Sequence, residues 1–328
     1  MQFQTHIQIR PFEQKIDHSQ PILSLGSCFA DNIAKRLQRA KFNTTAAPTG
    51  ILFNPESIAR AIERFDRARE DKGSLPTIEE LHQANGVWYN YDFHSSLSHI
   101  DADRARSQMS DAVMRGAEAL AEAKVVIITF GTAFVYRLND SGEVVANCHK
   151  QPQRLFSREM LSAEDIVQRY NALLQGPLAD KRVIFTLSPV RHLGDGLEQN
   201  SLSKATLRVA IAEIVARNSN ADYFPSYEIM MDELRDYRFY ADDMAHPSAL
   251  AVEYIWERFS QTALSEATLD AIKRIEHIMA AAEHRPFNPE SEAHRAFCRK
   301  MLAECELLQR ELPGVCLDSE KEYFKTYL

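Results

Sequence analysis

An excess of positive charge is missing from this chain: 38 Lys and Arg stand against 46 Asp and Glu in 328 residues, a formal net charge of -8. Proteins that track a phosphate backbone concentrate Lys and Arg on one face, so no nucleic-acid partner is expected. Long hydrophobic runs are missing too. No stretch of 18 apolar residues occurs, and Met1–Gln14 is polar and charged with no apolar core, so neither a membrane span nor a secretory leader is expected. Cysteine is sparse. Cys28, Cys148, Cys298, Cys305 and Cys316 are odd in number and form no CxxC pair, which disfavours a disulfide framework and a structural zinc site. A reduced, cytoplasmic protein without a metal or cofactor is the expectation. Internal repeats are absent, and no Gly-rich phosphate loop follows the first strand, which argues against nucleotide binding.

What is present is ordinary globular material, 45% hydrophobic and 26% charged, enough for a large core. Ile22–Leu25 is a mostly apolar run stopped by Gly26, and Phe29, Ile33, Ala34 and Leu37 then recur at helical spacing. A buried strand therefore feeds a helix through Gly26-Ser27-Cys28. Phe42–Ala46, Lys124–Phe130, Arg182–Leu187 and Asp222–Phe224 read as further strands. Helices are expected from Asn54-Pro55 to Arg69, over Asp101–Ala123, over Ala163–Leu174 and over Leu202–Asn218. Apolar strands alternating with amphipathic helices imply an α/β fold, a parallel sheet covered on both faces.

Two stretches break the rhythm. Asp71–Ile100 is rich in aromatics, and Ala133–His149 places Phe134-Val135-Tyr136 and Val144-Val145-Ala146 around Asn139-Asp140-Ser141-Gly142, a β-hairpin insertion. Residues 1–265 read as the main domain. From Glu266 onward helical periodicity with a break at Pro286–Pro289 gives an appended helical region, 266–328.

Ligands of open parallel sheets gather at the carboxyl ends of the strands, so Ser27, Gly50, Gly131-Thr132 and Ser188–His192 are the positions to weigh. Ser27 lies where a helix N-terminus can stabilise an oxyanion, although Ser at such a position is more often only a cap. Asp243-Met244-Ala245-His246 changes the balance. A carboxylate three residues before an imidazole can hold Nδ1–H and leave Nε2 to face a nucleophile, so Ser27, His246 and Asp243 can form a triad.

These residues carry a resemblance. Gly26-Ser27-Cys28-Phe29-Ala30, with Pro48-Thr49-Gly50-Ile51-Leu52-Phe53-Asn54-Pro55 downstream, resembles the GSCFA domain family, a branch of the SGNH/GDSL hydrolases. The likeness continues through Trp88–His99, Thr129–Ala133, Ser188–His192, Asn200–Lys204 and Asp243–His246, roughly residues 20–265. It implies a three-layer, flavodoxin-like fold, with Ser27 as nucleophile, His246 as general base and Asp243 as its partner. It further implies an oxyanion hole made by the Ser27 N–H, a glycine matched by Gly50, and an asparagine after the third strand. That asparagine is lacking: the strand ends Gly131-Thr132-Ala133. Thr132, or Asn147 at the base of the hairpin, could replace it.

The implied activity is esterase or acylhydrolase action through an acyl-enzyme, on an acyl ester that could be an acylated carbohydrate. An O-acyltransferase using the same triad, or a non-catalytic carbohydrate-binding relative with a degraded oxyanion hole, are the alternatives. Trp88, His94 and His149 are candidate substrate contacts in the aromatic-rich wall, which could equally be a satellite core. Arg191 and His192 could bind a substrate acid or pair with carboxylates, and His192 competes with His246 as base. Cys28 reads as a buried thiol rather than a nucleophile. Asp92, His94 and His99 match no standard metal spacing.

Overall fold

The computed structural model describes residues 5–71 and 74–328. The first four residues of the polar N-terminal stretch, and residues 72–73 of the aromatic-rich one, lie outside the described residues. Strand β1 (Ile22–Gly26) runs into helix α1 (Cys28–Arg39), followed by β2 (Thr44–Ala46) and α2 (Pro55–Glu70). Both helices start where their side chains satisfy orphan N–H groups: Ser27 Oγ accepts from Phe29 N, and Asn54 Oδ1 accepts from Ser57 N with Pro55 behind it. The second strand is shorter than expected because Phe42 is buried in the core rather than paired.

The aromatic-rich stretch contains a small antiparallel pair, β3 (His82–Ala84) and β4 (Val87–Tyr89). Then come α3 (Ala102–Glu122) and β5 (Val125–Phe130). The expected hairpin is β6 (Phe134–Leu138) with β7 (Val144–Val145), Tyr136 opposite Val145, and a third strand, β8 (Phe156–Met160), joins its other edge. Sequence reasoning missed β8 because Ser157, Arg158 and Glu159 are exposed and charged or polar. Helix α4 (Ala163–Gln175), strand β9 (Arg182–Leu187), α5 (Leu197–Arg217) and β10 (Ala221–Phe224) complete the alternation. Helix α5 starts a turn and a half earlier than its apolar pattern, since its first turns carry a different cargo, described below.

A short helix α6 (Ser226–Glu228), one turn of π-helix and α7 (Ala249–Ala263) follow, then α8 (Glu266–Glu283), α9 (Glu292–Glu311) and α10 (Asp318–Lys325). The last three share a core of their own, including Ile275, Ile278, Met301 and Leu308, and Lys41–Glu320 at 2.7 Å ties α10 to the main body.

The central sheet has the order β10-β9-β5-β1-β2, all parallel. Counting only its own strands this is 2-1-3-4-5, the flavodoxin-like order. Side chains alternate across it: Leu23, Leu25, Val126 and Ile128 face the core formed with α2–α5, whereas Ile22, Val125 and Ile127 face α1 and α7. Each completely buried residue such as Phe29 or Leu37 contributes about 1.5–3 kcal/mol by leaving water. Three layers result. All five cysteines are free thiols, and no described helix is long and apolar enough to cross a membrane.

Candidate functional site

At the carboxyl ends of β1, β5 and β9, three loops are locked together by main-chain hydrogen bonds. Ser27 N donates to Thr129 O at 3.2 Å, Leu52 N to Gly26 O at 3.0 Å, and Gly131 N and Thr132 N both donate to Phe53 O, at 2.8 and 3.0 Å. Gly26 makes this closeness feasible. Its φ is +129°, and a Cβ there would stand 2.2 Å from Thr129 O. Ser27 consequently sits at the foot of the site, 1% exposed.

The expected pair of Asp243 and His246 is formed. Asp243 Oδ2 lies 2.6 Å from His246 Nδ1, while Oδ1 accepts from Ala245 N and His246 N, both at 2.9 Å. Those two N–H groups and the imidazole hold the carboxyl at about 2, far below its ordinary value, so Asp243 is ionised throughout the neutral range. The turn is tight enough to force Met244 to φ +56°. Both side chains are about half exposed, unlike Ser27. Among the described residues no hydrogen bond joins His246 to Ser27, whose Oγ instead accepts from Phe29 N at 3.3 Å.

Asn200–Lys204 entered the sequence reading only through the resemblance, which assigned them no part in the site. On α5, Asn200, Ser203 and Lys204 are buried in phase with Leu207, Ile211 and Ile214. Each polar one serves a loop. Asn200 Oδ1 accepts His192 N at 3.0 Å; Ser203 Oγ accepts Ala133 N at 2.7 Å and pairs with Thr132 Oγ1 at 3.1 Å. Lys204 Nζ donates to Gly131 O at 2.6 Å and Ser188 O at 2.7 Å, clamping the ends of β5 and β9. Complete burial pulls the lysine down to about 7. A signal existed: three polar residues at positions i, i+3 and i+4 of an otherwise apolar stripe.

His192 leans from the end of β9 over Gly131, its Nε2 3.4 Å from where a Cβ of Gly131 would stand, and meets Phe53 edge-on at 5.8 Å. Burial, then the charges of Lys204 and His246, pull its pKa down to about 4. Such a ring is neutral at neutral pH and a weaker proton acceptor than an ordinary imidazole. The thiol of Cys28 is pushed up by burial more strongly than the N-terminal N–H groups of α1 and the charge of Lys204 pull it down, as fits a structural thiol. Arg191 N donates to Ala245 O at 3.0 Å, and its guanidinium lies 4.1 Å from the Tyr240 ring centroid, lining a cavity of about 200 Å³ with Met230, Met231 and Leu234.

The remaining sequence-derived candidates stand differently. Gly50 N donates to Ala47 O at 2.8 Å, Thr132 is engaged through both N and Oγ1, and Asn147 Nδ2 donates to Ser95 Oγ at 3.2 Å while its Oδ1 accepts His149 N. The backbone N–H groups proposed for the oxyanion, Ser27 N included, are thus already committed, whereas Asn147 Nδ2 has one N–H beyond its bond to Ser95. Trp88 packs against the main core. His94 Nδ1 bonds Ser96, and its Cβ lies 2.1 Å from where one on Gly50 would be. The aromatic wall is built instead from His82, Tyr89, Tyr91 and His149, with Tyr89 stacked on His149 at 4.5 Å. Asp92 is spent on Arg60 and Arg64. Among the described residues no three His, Cys, Asp or Glu side chains are grouped to hold a metal. A larger cavity, about 920 Å³, lies elsewhere, between residues 7–14 and the amino ends of β9 and β10.

No curated protein matches the chain. Family models match nearly all of it: the GSCFA family over residues 21–259, and the GSCFA domain protein, C-terminal domain, over residues 275–328. With the first match covering most of the sequence, the chain belongs to the GSCFA family.

Proposed function

We propose that the protein is a serine acyl-ester hydrolase of the SGNH/GDSL type, acting on a small or carbohydrate-borne ester in a reducing, cytoplasmic setting. The observation that carries this reading is the Asp243–His246 pair at 2.6 Å, a doubly anchored carboxylate fixing an imidazole in the loop that bonds to the end of β9. Ser27, at the N-terminus of α1 two strands away in the same sheet, supplies the nucleophile.

In the proposed reaction, His246 Nε2 takes the proton of Ser27 Oγ as Oγ bonds to the ester carbonyl carbon. The tetrahedral intermediate collapses, the C–O bond to the alcohol breaks, and the alcohol leaves with the proton held on His246. Water, deprotonated by His246, then attacks the acyl-enzyme and releases the acid, and Ser27 Oγ recovers its proton. Asp243 stays ionised and stabilises the imidazolium. A sugar hydroxyl in place of water makes the same cycle an acyl transfer.

One observation favours a second reading, a carbohydrate-binding relative without catalysis: the committed N–H groups of Ser27, Gly50 and Thr132. Hydrolysis of short chromogenic acyl esters by wild type and Ser27→Ala, with mass spectrometry after a fluorophosphonate probe, separates the two. Turnover that disappears in Ser27→Ala, together with an adduct on Ser27, is the expected result. A folded wild type that is inert and unlabelled across acyl lengths sinks the hydrolase reading.

A further inference from the structure

The site lacks the asparagine that would complete an oxyanion hole, and the backbone donors nearby are already used. Among the unpartnered buried polar atoms near the strand ends, Thr49 Oγ1, Thr129 Oγ1 and His192 Nε2, the ring nitrogen comes from the loop beside the Asp243–His246 turn. His192 Nε2 is buried and, among the described residues, has no hydrogen-bond partner. It lies close to Gly131, whose carbonyl accepts from Lys204 Nζ at 2.6 Å and, through its second lone pair, weakly favours the protonated ring without coming within good hydrogen-bond geometry of it. A buried ring nitrogen left without a partner is costly, and native structures rarely keep one without a use.

We propose that His192 is a catalytic residue that donates Nε2–H to the oxyanion formed at Ser27, in place of the missing asparagine. This rests on the hydrolase reading above. The sheet order supplies the placement. β9, β5 and β1 are neighbours, and Ser27 N bonds Thr129 O on β5. By lying over Gly131, the ring from the β9 end reaches the end of β5, the strand that neighbours β1. For His192 to serve, a tetrahedral oxyanion bonded to Ser27 Oγ must project toward that ring.

The ring is held for this purpose. Asn200 fixes its main chain, and Phe53 packs against it edge-on. The titratable groups whose fields reach it are Lys204 on α5 and His246 before α7, and burial, with any positive charge on those two, opposes its protonation. Neutrality suits the role. An imidazolium here would oppose the positive charge His246 must acquire as it takes the Ser27 proton, whereas a neutral donor stabilises the oxyanion without that repulsion.

The test compares full-length wild type, Ser27→Ala, His192→Leu and His192→Gln on a chromogenic ester, with NMR titration of the histidines. His192→Leu should lower kcat by about 100- to 1,000-fold with KM changed by less than about threefold, because the interaction exists only in the transition state. His192→Gln, which can donate an amide N–H from a similar place, should recover at least about tenfold of that loss. The His192 ring should show no protonation between about pH 5 and 8. A His192→Leu enzyme within about threefold of wild-type kcat, beside a dead Ser27→Ala, overturns the proposal and leaves the hydrolase reading intact. If the leucine variant does not fold, a glutamine variant no better than about 1,000-fold down, or a ring that titrates near 6.5, overturns it instead. A wild type without turnover or a Ser27 adduct removes the hydrolase reading and this proposal together.

Discussion

Replacing Lys204 by methionine should change both the stability of the protein and the way that stability depends on pH. The ammonium is fully buried, hydrogen-bonded to two carbonyls and forms no ion pair with any described carboxylate. Its pKa falls from 10.5 to about 7. In the unfolded chain the lysine keeps its proton up to about 10.5, so between pH 7 and 10.5 the unfolded state binds more protons and stability rises with pH. At ~1.4 kcal/mol per pH unit, the whole window is worth about 5 kcal/mol. Lys204→Met lacks this contribution and leaves Gly131 O and Ser188 O without partners, a pH-independent cost of about 1–3 kcal/mol each. The gap between wild type and variant should therefore widen steadily above pH 7. With an unfolding entropy of ~2.1 cal/mol/K per residue, about 0.7 kcal/mol/K for this chain, the Tm difference should grow by about 2 °C per pH unit. Taking the difference cancels every titration the two proteins share. A Tm gap constant to within about 1 °C from pH 7 to 10 would refute the account of Lys204 as a buried lysine that gives up its proton near neutral pH.

Gly26→Ala should prevent stable folding, since the new Cβ would meet Thr129 O at 2.2 Å with φ at +129°, and circular dichroism and thermal melts would reveal a folded variant if this is wrong. Asp243→Asn should leave the protein folded with a modest loss of Tm, because the half-exposed carboxylate is favoured by its N–H partners and the imidazole, yet lower ester turnover by about 100-fold or more. Asparagine cannot accept from the Nδ1–H through its amide nitrogen, so an undiminished kcat would remove Asp243 from the mechanism.

Much of this architecture is legible in the sequence because its elements are governed by local rules. Apolar β1, β5 and β9 stop at Gly26, Gly131 and Ser188, Asn54-Pro55 caps α2, and the Asp243–His246 spacing yields the pair it suggests. What escaped is set by tertiary packing. The exposed, charged β8 is a strand only because β6 offers it an edge. Trp88 is aromatic, as a sugar-facing wall would be, but only the packing tells that it covers the core, while His149, at φ +48°, turns to stack on Tyr89. Gly50 and Thr132 stand where the resemblance puts oxyanion donors; that their N–H groups are taken depends on turns no motif records.

The first two turns of α5 explain why the site is both rigid and electrostatically unusual. Asn200, Ser203 and Lys204 occupy positions that further along the helix hold Leu207 and Ile211, so the helix exchanges apolar burial for hydrogen bonds to three separate loops. One of these fixes His192, another holds Thr132 and Ala133, and the lysine joins Gly131 to Ser188. Leucine at Lys204 would satisfy the core and leave two carbonyls orphaned, while a carboxylate would repel them; a long cationic stem reaches both and adds positive charge that keeps His192 from protonating. The same residue therefore sets the position of the strand ends and the charge state of the group proposed to meet the oxyanion. The signatures of the two roles separate: the clamp by a stability loss in Lys204→Met at about pH 10, where the wild-type lysine is already neutral, the charge by a His192 pKa that rises in the same variant.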